Sequence, residues 1–214
     1  SISEKVSHSW VKAKKKFGFY LNSLGQMAPI NKNSEYCFEL GLSDQLKFFD
    51  NRKSYQEVTY ECSEFEVPVP MDPYEFRLTS KDKEPAMFLM KRLRWDMKRG
   101  VVRQPIIGLN TGAGRVFRTK QWLEEHFLEL CKLLKKKLKA RVLLLGGEDE
   151  DSRNKRLSSN LKGIAHYPGC GCSLRQFSGL IEVCDLLVTG DTLAMHMSMS
   201  MKTPVVSLFC SSCE

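Results

Sequence analysis

From residue 104 onward, short uninterrupted apolar runs alternate with stretches in which apolar residues return every three or four positions. The runs at 104–110, 141–145, 163–166, 185–189 and 204–209 read as strands buried on both faces. Between them, Leu123, Phe127, Leu130, Leu134 and Leu138 make one stripe of a helix. Residues 150–160 form a polar helix, Leu174, Phe177, Leu180, Ile181 and Cys184 mark a third, and 192–201 a fourth. Thr119 and Ser173 are placed to cap the first and third, and Glu124 and Glu125 suit a positive helix start. The pattern predicts an α/β fold: a Rossmann-like parallel sheet with helices on both faces. Ligands of such sheets sit beyond the carboxyl ends of the strands. Four loops are therefore candidates: 111–119, 146–149, 167–173 and 190–196.

The first hundred residues are less periodic. A strand over 17–24 turns at Gly25, a helix covers 35–40, and 54–62 is weakly helical. Pro68, Pro70 and Pro73 then prevent a helix and read as an extended connector. A helix with a basic face follows over 83–99. This half closes no core of its own in the pattern. The expected organisation is a remnant of a preceding domain over 1–66, a linker with a basic helix over 67–103, and an incomplete ligand-binding domain over 104–214. The absence of an initiating Met fits a piece of a longer protein.

The 214 residues are 42% hydrophobic and 27% charged, which excludes a disordered chain, and no apolar run is long enough to span a bilayer. A net charge of +8, clustered at 12–16, 91–98 and 132–139, favours anionic partners, although each cluster also reads as a solvated helix face. No basic stretch is interleaved with aromatics as nucleic-acid platforms are, so nucleic acid is not an expected partner. Eight cysteines without a secretory signal read as reduced thiols. Cys170-Gly-Cys172 is tight for zinc and Cys210-Ser-Ser-Cys213 has suitable spacing, but no His accompanies either pair, and no metal is expected.

The candidate loops carry phosphate chemistry. Thr111-Gly112-Ala113-Gly114-Arg115 offers open backbone amides, a hydroxyl and a guanidinium, with Arg118 and Lys120 next to it. It is not a full dinucleotide fingerprint, because Phe117 occupies the third glycine's place. Gly146-Gly147 lets backbone approach a ligand, and Glu148 can accept from ribose hydroxyls or act only as a helix-start acid. Asp191 ends a buried strand, Thr192 and Leu193 open a helix, and His196 lies about one turn on. An acid, a hydroxyl and an imidazole grouped there favour a functional site over a core histidine.

Several of these stretches together resemble the lipopolysaccharide heptosyltransferase-like glycosyltransferases, family 9. They are 108–114, Lys120-Gln121-Trp122, 144–148, 173–177, 190–196 and 204–209, with a weaker likeness at 51–57. The resemblance implies the C-terminal half of a GT-B fold and inverting, metal-independent transfer of a sugar to an anionic glycolipid acceptor. The sugar is expected to be a heptose and the donor an ADP-sugar, with no cofactor. It implies donor contacts from Thr111 and Lys120 to the diphosphate, from Glu148 to the ribose, and from Asp191, Thr192 and His196 to the sugar-phosphate region, with Gly112 and Leu193 also donor-binding. The family's catalytic base belongs to an N-terminal segment not found here, so none is assigned and the chain alone is expected to be inactive. The expected compartment is the cytoplasm, with contact at the inner face of its membrane an open alternative. Cys210-Ser-Ser-Cys213 departs from the family's Gly-Pro-Thr-like turn. A non-catalytic nucleotide-binding domain of similar topology is the competing reading, and a metal or redox protein a weaker one.

Overall fold

The computed structural model describes residues 12–95, 104–113 and 121–209. The chain divides into two compact units, Ser1–Asp72 and Pro73–Glu214.

In the first unit, β1 (Phe19–Leu21) pairs antiparallel with β2 (Met27–Pro29). The Asn22 carboxamide oxygen accepts from the amides of Leu24 and Gln26, and Gly25 takes the positive φ of 72° that the turn requires. Helix α1 (Lys32–Leu40) begins three residues before the expected start. Helix α2 (Tyr55–Cys62) is set by a capping box in which Ser54 and Glu57 satisfy each other's amides. Among the described residues of this unit, Val58 and Cys62 are the fully buried apolar side chains, so its core is small.

No helix or strand lies between Cys62 and Ser80, as the three prolines require. Helix α3 (Ser80–Leu93) starts earlier than its charge pattern suggests, because Thr79 and Asp82 form a capping box. Arg94 closes it in the left-handed conformation, and residues 96–99 lie outside the described part. The unit boundary falls at Pro73, so α3 belongs with the α/β sheet. It hides an apolar face, Ala86, Leu89 and Met90, beneath its exposed cations. Arg175 fastens it: the guanidinium bonds Asp82 at 2.9–3.0 Å and the carbonyl of Arg77 at 2.6 Å.

The sheet contains β3 (Ile106–Asn110), β4 (Arg141–Leu145), β5 (Ala165–His166), β6 (Leu186–Gly190) and β7 (Val205–Leu208). All neighbouring pairs are parallel, in the order β5-β4-β3-β6-β7. Alternate strand residues feed two cores. Ile106, Leu143, Leu145 and Leu187 pack with α3, α6 (Leu174–Glu182) and α7 (Leu193–Ser200). Ile107, Leu109, Val142, Leu144 and Val188 pack on the other face with α4 (Glu124–Leu138) and α5 (Asp151–Asn160). The expected Rossmann-like α/β architecture, with helices on both faces, is the observed one. Burying each such side chain contributes about 1.5–3 kcal/mol, and both strand faces draw on it.

Two local expectations change. Helix α4 begins at Glu124 with Leu123 at its N-cap, and Thr119, the expected cap, lies outside the described residues. Of its apolar stripe Phe127 is buried and Leu130 and Leu134 are partly buried against the core, while Leu123 and Leu138 are 61% and 53% exposed. Ser173 does cap α6, sharing a capping box with Gln176.

Candidate functional site

Strand β3 sends the chain to β4 on one side and is flanked on the other by β6, so the topological switch point lies between the ends of β3 and β6. There the Asn110 amide nitrogen donates to Thr189 Oγ1 at 2.9 Å and also lies 3.3 Å from Thr192 Oγ1. The two threonine hydroxyls are 3.0 Å apart. Because Thr192 is held this way, its side chain does not cap α7. The first-turn amides of that helix are left without that cap beside the cleft.

A second network stands between β3 and β4. Thr111 is buried, its hydroxyl donating to Asn154 Oδ1 at 2.7 Å while its carbonyl accepts from Arg153 at 2.7 Å. Asn154 Nδ2 in turn donates to the carbonyl of Leu145 at 3.2 Å. The Gly147 amide donates to Glu150 Oε2 at 2.9 Å. Gly112 and Gly146 pack closely on the Glu150 side chain. A Cβ on Gly112 would stand 2.8 Å from Glu150 Cδ, and one on Gly146 would stand 2.7 Å from Glu150 Cβ.

A cavity of about 400 Å³ opens at this point, within the range of small-molecule sites. All four candidate loops reach it. Asn110 ends β3 and Gly112 and Ala113 follow it; Gly146, Gly147 and Glu150 follow β4; Gly169, Cys170 and Cys172 follow β5; Thr192, Leu193 and Ala194 follow β6. Leu145, Leu174, Phe177 and Leu180 supply an apolar wall.

The residues singled out from sequence divide accordingly. Gly112, Thr192 and Leu193 line the cavity. Thr111 is turned into the Asn154 network. Glu148 is exposed on a 3₁₀ turn (Glu148–Glu150), and the carboxylate at the cavity wall is that of Glu150, only 7% exposed. Asp191 is half-buried between β6 and α7. His196 is exposed, its ring edge-on to Tyr74 at 5.7 Å. Lys120 lies outside the described residues, as do Arg115, Arg118, Cys210 and Cys213. Sequence reasoning passed over Glu150 and Asn154 as residues of a polar helix. The glycine pair before Glu150 was the available signal, since glycines packed on a carboxylate mark a crowded turn.

The thiols of Cys170 and Cys172 are free and half-buried in the cavity wall. Burial first, then the charge of Cys170, pushes the Cys172 thiol up. Tyr167, which donates to Asp151 at 3.1 Å, is raised mainly by burial and then by that bond. Among the described residues, no group of three or more His, Cys, Asp or Glu could hold a metal ion.

A doubly wound parallel sheet with a glycine-lined cavity at its switch point is the architecture in which α/β domains hold ligands. The chain belongs to glycosyltransferase family 9 (heptosyltransferase), whose model matches residues 11–214. Two solved structures share the fold. The E. coli ADP-heptose LPS heptosyltransferase II is 20% identical over 68% of this chain, with a TM-score of 0.51. The glycosyl transferase family 9 protein of Veillonella parvula DSM 2008 is 16% identical over 73% of this chain, with a TM-score of 0.58. The chain spans 42% and 44% of the lengths of these two proteins. No curated protein sequence matches it. Among the described residues, no helix is long and apolar enough to cross a membrane.

Proposed function

We propose that the α/β unit binds the nucleotide-sugar donor of a glycosyl transfer, with the sugar passing to a glycolipid acceptor. The observation that carries this reading is the cavity at the switch point, built by four strand-end loops in a chain of the heptosyltransferase family. The E. coli structure that shares the fold is named for ADP-heptose and lipopolysaccharide, which favours an ADP-heptose donor and a lipopolysaccharide-core acceptor. A GT-B arrangement, inversion at the anomeric carbon and independence of metal complete the proposal.

Within it, the diphosphate lies against the amides following β3 and those opening α7, with Lys120 and Thr192 as further ligands. Glu150 takes the ribose role expected of Glu148, because its side chain lines the cavity and, among the described residues, the hydrogen bond to its carboxylate falls on Oε2. Asp191 and His196 stay proposed for the sugar-phosphate side. Cations and helix dipoles stabilise the departing nucleoside diphosphate while a base takes the acceptor proton. No described residue is assigned as that base.

The test is calorimetric titration of the chain with ADP and with ADP-heptose, beside the Leu193→Glu variant, which places a negative charge at the cavity mouth. Binding by the parent chain and its loss in the variant support the proposal. No heat with either nucleotide refutes it. If ADP binds but a protein of the relatives' length that contains this unit never releases ADP from ADP-heptose in the presence of acceptor, the unit is a non-catalytic nucleotide-binding domain instead.

A further inference from the structure

The wall of the cavity that follows β5 carries two thiols that donor binding does not use. Cys170 and Cys172 both line the cavity, both are free, and a single glycine separates them. The chain bends at Cys170, and Gly169 before it takes a positive φ of 96°. Gly171 is exposed, with nothing within 4 Å of the place a Cβ would occupy, so no packing opposes a change of backbone there. Cys170 lies close enough for its charge to act on Cys172.

The two sulfurs have separate anchors. Cys172 packs at the edge of the core that holds Leu180 and Ile181. The Cys170 thiol donates to the Asp151 carboxylate, and the Tyr167 hydroxyl, which bonds the same carboxylate at 3.1 Å, also lies against the Cys170 sulfur. Lys155 pairs with Asp151 at 2.7 Å, so a cation completes the group. The other thiols described in this unit are placed differently. Cys131 and Cys184 are buried in the two cores, on opposite faces of the sheet. Filling a cavity wall needs only small residues. It does not account for two accessible thiols at one-glycine spacing beside an ion pair, which is how redox-sensing pairs are placed.

We propose that Cys170 and Cys172 form a reversible oxidation site, at which a peroxide closes a disulfide that weakens ligand binding in the cavity. The sulfur of one thiol, as thiolate, attacks a peroxide oxygen. The O–O bond breaks, hydroxide leaves and takes the thiol proton to become water, and the sulfur is left as a sulfenic acid. The sulfur of the second thiol displaces that oxygen, which leaves with the second proton as water. Two thiols are oxidised to one disulfide while one peroxide is reduced to two waters. A dithiol reductant reopens the bond by exchange. Closing it draws Cys170 away from Asp151 and Tyr167 and pulls in the wall between Gly169 and Leu174. The effect on ligand rests on the donor reading, whereas the disulfide itself does not.

Peptide mapping after hydrogen peroxide and alkylation tests the site. Trypsin releases both cysteines in one peptide, between Lys162 and Arg175. The expected product is that peptide unalkylated and lighter by two hydrogens. Cys170→Ser and Cys172→Ser should each abolish it, while Cys131→Ser should not. Calorimetric titration with ADP then compares the reduced chain, the oxidised chain and the oxidised chain treated with dithiothreitol. Affinity is expected to fall about fivefold or more on oxidation and to recover with the reductant. Each serine variant should bind ADP equally with and without peroxide. Sulfenic or higher acids on either residue without the joined peptide overturn the proposal. So does an oxidised chain that binds ADP as well as the reduced one. If the reduced chain takes up no ADP, the donor reading fails, and the joined peptide, lost in both serine variants, still upholds the oxidation site.

Discussion

The side chain of Asn110 donates to the hydroxyl of Thr189 at 2.9 Å, joining two strand ends that are 79 residues apart in the chain. The bond closes the switch point and holds Thr192, through Thr189, away from capping α7. Removing the carboxamide with Asn110→Ala should lower unfolding free energy by about 1–3 kcal/mol, because buried hydroxyls lose a donor. Urea denaturation measures the loss. ADP affinity should fall with it, since Asn110 also lines the cavity.

Gly146→Ala is expected to be worse than its size suggests. The added methyl would meet Glu150 Cβ at 2.7 Å and Asn154 Nδ2 at 2.9 Å, so the carboxylate must move. A loss of about 1–3 kcal/mol in stability follows from overpacking of this kind. Glu150→Gln keeps the shape and should leave the melting temperature nearly unchanged while weakening ADP and ADP-sugar binding. Equal binding by Glu150→Gln and the parent would return the ribose role to another residue.

The acid limb of stability should depend on Asp82. Hydrogen bonds from Arg175, then from Thr79, hold its carboxyl well below the usual range. A depressed folded-state pKa contributes stability that is present above the unfolded value, about 3.9, and is lost as pH falls through the folded one. The stability difference between the parent and Asp82→Asn should therefore be full near neutrality and shrink below about pH 4. Chemical denaturation at a series of pH values reads this directly. A difference that stays constant down to pH 2 contradicts it.

Thiol labelling separates the cavity from the core. Burial pushes Cys131 and Cys184 up to about 12, so both remain protonated thiols at pH 8. Alkylation followed by mass spectrometry should modify Cys170 and Cys172 well before that pair. Saturating ADP should slow the first pair and leave the second unchanged. If ADP leaves the rates at Cys170 and Cys172 unaltered, the ligand does not occupy this cavity.

Lys120→Ala and Asp191→Ala carry the donor assignments made on resemblance. Each should reduce ADP-sugar affinity by about tenfold, the size of a lost charge-assisted bond. Lys120→Ala should act on ADP and ADP-sugar alike. Asp191→Ala should act more strongly on the sugar-bearing ligand.

Much of the architecture follows from local pattern. Arg141–Leu145 is a strand because four consecutive apolar residues, Val142–Leu145, can be buried on both faces, and Ser173 caps α6 because its hydroxyl needs only the amide three residues on. Alternating apolar runs and helical stripes then leave few topologies other than a covered parallel sheet, whose strand ends name the four loops. Short-range chemistry of this kind is written in neighbouring residues.

The tertiary structure decided which groups in those loops face the cavity. Glu148 and Glu150 are equivalent as sequence, but the 3₁₀ turn exposes one and buries the other beneath Gly112 and Gly147. Thr111, expected to contact a phosphate, has its hydroxyl turned to Asn154, from a helix 43 residues on. Helix α3 looked like a linker because its lysines are visible in sequence, whereas the partners of Ala86, Leu89 and Met90 lie on α6 and the sheet. Side-chain direction depends on contacts between distant segments, and those are set only when two faces of the sheet are packed.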